Sequence, residues 1–159
     1  LIMPPSNFPK VTSERALKAF NSGFNCAQSV VKAYADALGF DEDQALVLAS
    51  GFGGGMGGMQ GACGAVTGAY MVLGMFCAAK YKDNHERKAC SGALIRAFHQ
   101  QFVARNNTDE CRTLLSQDCS VKAGDRAKLH LSVCDGYIVD AVEILNGLLE
   151  GFCTSRASV

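Results

Sequence analysis

Helix-start signatures recur along this chain and leave little room for any architecture other than helices. Asn25 stands three residues before Gln28, Asp41 before Gln44, Asp83 before Glu86 and Ser132 before Asp135. A short polar side chain in the first position can accept from the backbone amide three residues on, and a Gln or Glu there can return the bond. Runs that alternate apolar and polar residues, as half-buried strands do, are scarce. The expected fold is all-α: a single-domain bundle of about six to seven helices with a glycine-rich loop. It spans residues 1–159, with 1–10 expected as a flexible N-terminus and 153–159 as a tail.

Taken in order, the first helix covers about Thr12 to Asn21 and stops at Gly23. The second runs from Cys26 to about Leu38 and ends at Gly39, and Asp41 opens a short third. Residues 51–64 read GFGGGMGGMQGACG, too glycine-rich for a regular element, so a compact loop is expected. Helix resumes near Cys63 and runs to about Lys80. Asp83 starts a long helix with Leu94, Ile95, Phe98 and Phe102 on its apolar face, closed by Asn106 and Asn107. Asn107 or Thr108 is expected to cap a short helix carrying Cys111. After a polar stretch, a last helix presents Ile138, Val142, Leu145 and Leu149 and ends before Gly151.

The charge balance removes several function classes. Fifteen basic residues offset fifteen acidic ones, so no net field draws the chain to nucleic acid or an anionic membrane. The longest apolar stretch, Gly64 to Ala79, is 16 residues, short of the roughly 20 that span a bilayer. No membrane span is expected. The first residues lack the features of a secretory signal, which makes a cytoplasmic location the expectation.

In such a compartment the eight cysteines are not expected to staple loops, and metal binding or redox work gains weight. Four of them, Cys26, Cys63, Cys111 and Cys134, fall at predicted helix starts, spaced by 37, 48 and 23 residues, so only tertiary folding can unite them. Unpaired amides at a helix N-terminus favour thiolate over thiol. Four such termini converging would suit an iron–sulfur cluster, zinc or a low-pKa dithiol. Cys77 and Cys90 lie inside helices, Cys119 in a polar stretch and Cys153 in the tail; burial as small apolar side chains accounts for Cys77, Cys90 and Cys153, or leaves their roles open.

NCAQSV at 25–30, GFGGGMGG at 51–58, CGAVTGA at 63–69, CRTLL at 111–115 and Cys134 before an amphipathic helix occur in that order. The combination resembles the family named for the cysteine pattern C_GCAxxG_C_C, to which redox activity is ascribed. The resemblance covers roughly Gly23 to Leu149 and implies that Cys26, Cys63, Cys111 and Cys134 are the family's four cysteines. One departure is local: Ala62 precedes Cys63 where the name has glycine, and the glycine follows as Gly64. Split-Soret cytochromes, related to the family, join such a domain to haem sites and carry an iron–sulfur cluster. This chain has no Cys-x-x-Cys-His, so c-type haem is not expected.

Gly53, Gly55 and Gly58 match G-x-G-x-x-G, but a predicted helix rather than a strand precedes them, which argues against a dinucleotide site. A geometric role is preferred, in which Gly53, Gly54, Gly55 and Gly64 let backbone pass close to Cys63 and offer amides to an anion or cluster. Gly64 and Gly68 form a smooth helix face suited to close packing inside the domain or across a homodimer. His85, His99 and His130 are read as surface residues. The leading functional expectation is a redox protein whose four cysteines bind an iron–sulfur cluster and pass electrons to an unidentified partner. A thiol–disulfide enzyme using a tertiary pair and a structural zinc domain are the alternatives.

Overall fold

The structure is a computed structural model and describes residues 9–117 and 133–156. Those residues form seven α-helices: α1 Ser13–Asn21, α2 Cys26–Ala35, α3 Glu42–Ala49, α4 Gly64–Lys80, α5 Asn84–Asn106, α6 Cys111–Ser116 and α7 Val133–Arg156. The all-α expectation holds, and the helix starts explain why. Asn25 accepts from the Gln28 amide while Gln28 Oε1 accepts from the Asn25 amide, a complete capping box. Asp41 and Asp83 each accept from the amide three residues on, and left-handed residues close two helices, Gly39 at φ 76° and Asn107 at φ 69°. Cys119, His130 and Ser132 lie outside the described residues.

The central pair is α2 and α4, with α1 and α3 flanking α2, α5 alongside α4, and α7 closing the core against α1, α4 and α5. Close approach of the central pair depends on Gly68. A Cβ there would sit 2.7 Å from the Ala27 carbonyl oxygen and 3.0 Å from its Cα. The smooth face read from the sequence is thus used inside the domain. Phe98 stacks on Phe102 at 5.9 Å, and the stripe Ile138, Val142, Leu145 and Leu149 is fully buried against them.

One buried polar knot interrupts this apolar core. Asn146 on α7 donates through Nδ2 to the Val11 carbonyl at 2.7 Å and accepts at Oδ1 from the Val11 amide at 3.3 Å. Tyr34 on α2 also donates to Asn146 Oδ1, at 2.9 Å. The knot anchors the segment before α1 to the last helix. No helix among the described residues is long and apolar enough to cross a membrane.

The structure corrects four expectations. The second helix is α only to Ala35 and tightens into a 3-10 turn over Asp36–Leu38. The last helix does not end before Gly151 but continues to Arg156, because Phe152 meets Phe76 edge-on at 5.3 Å and Cys153 is buried, contacts that outweigh one helical glycine. Cys153 is therefore core, not tail. Glu110, rather than Asn107 or Thr108, is the N-cap of α6, and Thr108 Oγ1 instead accepts from the Glu110 amide. Finally, Cys77 and Cys90 are more than small apolar residues: they form a disulfide between α4 and α5, with Cα atoms 6.0 Å apart. Spacing could not reveal it, since the pair meets only because α5 folds back along α4.

Candidate cysteine site

Each of the four cysteines sits at a helix start, and the four line one cavity of about 230 Å³. Cys26 and Cys111 are the first residues of α2 and α6, Cys63 is the N-cap of α4, and Cys134 is the second residue of α7. All four are free thiols. The remaining wall is apolar, from Phe20, Leu114, Leu115 and Tyr137.

Cys26 is placed by the capping box, whose Asn25 side chain also donates through Nδ2 to the Ser50 carbonyl at 2.9 Å. Its sulfur rests on Gly64, where a Cβ would lie only 2.2 Å away. The Cys-Gly-Ala order at 63–65 therefore has a steric reason: the residue after Cys63 must lack a side chain. Cys63 and Cys111 are clamped side by side by a short antiparallel bridge between Ala62 and Glu110. The Cys63 amide donates to the Asp109 carbonyl at 2.7 Å, and the Cys111 amide to the Gly61 carbonyl at 2.6 Å. Cys134 approaches from α7, held in register as Tyr137 donates to the Leu114 carbonyl at 2.9 Å. Replacing Asn25 by alanine is expected to cost about 1–2 kcal/mol in urea unfolding, since cap and tether are lost together. A smaller change would show that Cys26 is held by packing alone.

The glycine-rich loop is compact. Residues 54–58 all have positive φ, from 60° to 77°, a run that glycine adopts without the steric cost met by other residues. The loop amides of residues 56–61 donate to carbonyls within residues 51–56, so they are not free to face an anion. Of the glycines expected to serve a cofactor, Gly54 and Gly64 line the cavity. Gly53 is pressed against the Asn25 side chain, and a Cβ on Gly55 would meet the Gly61 nitrogen at 2.6 Å and Cys111 Cβ at 2.7 Å. These two hold the loop against the cysteine helices.

At Cys63, Cys111 and Cys134 burial reverses the expected thiol acidity. Desolvation, then opposed by the Ala65 amide and reinforced by Cys26, pushes Cys63 up to about 12. Burial and the charges of Cys26, Cys111 and Asp135 push Cys134 up to about 11, and burial with Cys26 raises Cys111. The helix termini do not offset the loss of water around these buried thiols. Among the described residues, no three Cys, His, Asp or Glu side chains close tightly enough to hold a metal ion as they stand. The sulfurs surround a space without meeting at a point.

A consequence for pH follows. Because Cys63 in the folded, metal-free protein holds its proton to about 12 against an ordinary 9.0, its contribution to stability is intact below pH 9 and drains away as pH rises to 12. Tyr34, pushed upward by burial, adds to the same trend. Urea unfolding of the metal-free chain is expected to lose about 4 kcal/mol over that window from Cys63 alone. A flat profile would contradict the burial of Cys63.

Sequence reasoning missed two features here. Phe20, Leu114, Leu115 and Tyr137 carry no signal beyond apolarity. His99, read as a surface residue, is half-exposed, yet its Nδ1 lies 3.1 Å from the Tyr70 hydroxyl and 3.4 Å from Asp109 Oδ2. It braces the segment whose carbonyl receives the Cys63 amide. Burial and Asp109 push Tyr70 up to about 12.

No curated protein and no solved structure shows significant similarity to the chain. The profile of one protein family does match, over residues 24–148, a range that holds all four helix-start cysteines and the glycine loop. By that match across most of its length, the chain belongs to the family described as Putative redox-active protein (C_GCAxxG_C_C).

Proposed function

We propose that Cys26, Cys63, Cys111 and Cys134 together ligate an iron–sulfur cluster through which the protein transfers electrons. The observation that carries this reading is one cavity walled by four free cysteines from four helix starts. The donor set fits: four cysteine sulfurs in one largely apolar cavity are the chemistry that thiolate-bound iron centres use. When bound, such a cluster supplies one-electron chemistry. The chain's own part is to hold four sulfurs apart on rigid helices, keep water out with Phe20, Leu114 and Tyr137, and release the thiol protons as ligands bind.

In the thiol–disulfide alternative Cys63 makes a poor attacking thiol, because burial keeps its proton in place. With Cys63 at about 12, roughly one molecule in 10⁵ carries its thiolate at neutral pH, a poor start for nucleophilic attack.

Anaerobically purified protein should be brown, with iron and acid-labile sulfide in comparable amounts and a paramagnetic resonance signal in one oxidation state. Each single Cys→Ser change among the four should remove most of that iron. Colourless protein that stays metal-free after anaerobic reconstitution with iron and sulfide would overturn the proposal.

A further inference from the structure

The far end of α4 carries a second sulfur site. Cys77 lies 14 residues beyond Cys63 on that helix, about 21 Å away at 1.5 Å per residue, too far for exchange with the four-cysteine cavity. Its disulfide to Cys90 spans 13 residues across the α4–α5 turn. The two sulfurs are not equivalent. Cys77 is fully buried in the core, whereas Cys90 is half-buried on the opening turns of α5. Of the two residues, Cys90 is the one with surface open to a thiol arriving from solvent.

The approach is also charged. Between Lys80 and Cys90 the chain carries Lys80, Lys82, Arg87 and Lys88 against Asp83 and Glu86. Lys82 and Lys88 are exposed, and Arg87, one turn before Cys90 on α5, is anchored by its Nε donating to the Tyr81 carbonyl at 2.6 Å. Lys80 points its Nζ toward Cys153, 4.0 Å away. With four basic against two acidic residues this segment is net positive in a chain with no net charge, which favours an anionic reagent over a cationic one at low salt.

We propose that the Cys77–Cys90 disulfide is a second, two-electron redox couple, reduced by a small thiol bearing carboxylates. The thiolate attacks Cys90 Sγ, a mixed disulfide forms there, and Cys77 leaves and takes a proton from water. A second thiolate attacks the reagent's sulfur in that adduct and frees Cys90, which takes up a proton. Two thiols become one small-molecule disulfide as the protein gains two electrons and two protons. The couple operates whether or not the four-cysteine cavity binds a cluster.

The test uses the full-length oxidised chain and three probes at equal thiolate concentration: reduced glutathione, neutral 2-mercaptoethanol and cationic cysteamine. Acid-quenched samples are alkylated and mapped by peptide mass spectrometry while circular dichroism follows the helices. Glutathione is expected to reduce the disulfide about fivefold or more faster than cysteamine at low salt, with the transient adduct on Cys90, helices intact and the difference closing at high salt. In a Lys82→Glu, Lys88→Glu variant the preference should shrink or invert. Adducts on Cys77, equal rates for the three probes, or reduction only as fast as the protein unfolds would each overturn the proposal. A Cys77→Ser variant gives an independent check: its Cys90 should accept the glutathione adduct from oxidised glutathione in the folded state, and failure to do so would count equally against it.

Discussion

Substituting alanine for Gly64 is expected to dismantle the cysteine cavity while leaving the fold standing. The new Cβ would lie 2.2 Å from Cys26 Sγ, the end of a side chain that can rotate away, while the backbone atoms Phe52 O at 3.1 Å and Ala27 N at 3.2 Å need give only by a few tenths of an ångström. The sulfur is driven out of its place, and the cost in stability is partly offset by about 1 kcal/mol gained when a helical glycine becomes alanine. If the proposed cluster is bound, displacing one of its sulfurs should lower retained iron 10- to 100-fold. Cys26 should also become more reactive to alkylation in the metal-free protein, a readout that does not depend on any cluster. Gly68→Ala should behave in the opposite sense. There the collision is with the Ala27 backbone, which cannot rotate, so α2 and α4 must separate. A loss of about 2 kcal/mol in urea unfolding is expected after the propensity gain is subtracted. If both variants lose stability equally and Cys26 reactivity is unchanged, the sulfur does not rest on Gly64.

The larger thermodynamic effect is expected at Asn146. Leucine there preserves volume but orphans the buried amide and carbonyl of Val11 and removes one acceptor of the Tyr34 hydroxyl. At about 1–3 kcal/mol for each buried group left unsatisfied, the loss should reach about 4 kcal/mol, or roughly 10 °C in Tm. Tyr34→Phe should cost only about 1 kcal/mol, because Asn146 then keeps both bonds to Val11. An Asn146→Leu variant within 1 kcal/mol of the parent would show that water enters and satisfies Val11.

Residues remote in sequence explain why this knot was invisible beforehand. Asn146 sits in a run of apolar helix residues and meets Val11 across 135 positions. Nothing in either neighbourhood marks the pairing. The same holds for the Cys77–Cys90 disulfide and for His99, whose partners Tyr70 and Asp109 come from other segments. By contrast, Asn25 with Gln28, Asp41 with Gln44 and Asp83 with Glu86 form bonds within one helical turn, and each appears where the spacing placed it.

The thiol acidities show the boundary most sharply. A helix terminus is a local feature, readable from caps, and it argued for thiolate. Burial is a property of the assembled chain, and at Cys63 and Cys134 it outweighs the terminus and keeps the proton on sulfur. Helix starts, the family pattern and the identity of the four cysteines were thus determined by sequence, because capping and spacing act over three or four residues. Their convergence on one cavity, the steric demand at Gly64, the second sulfur pair and the raised pKa of Cys63, Cys111 and Cys134 were decided by tertiary structure, because each depends on which surfaces α2, α4, α5, α6 and α7 remove from water.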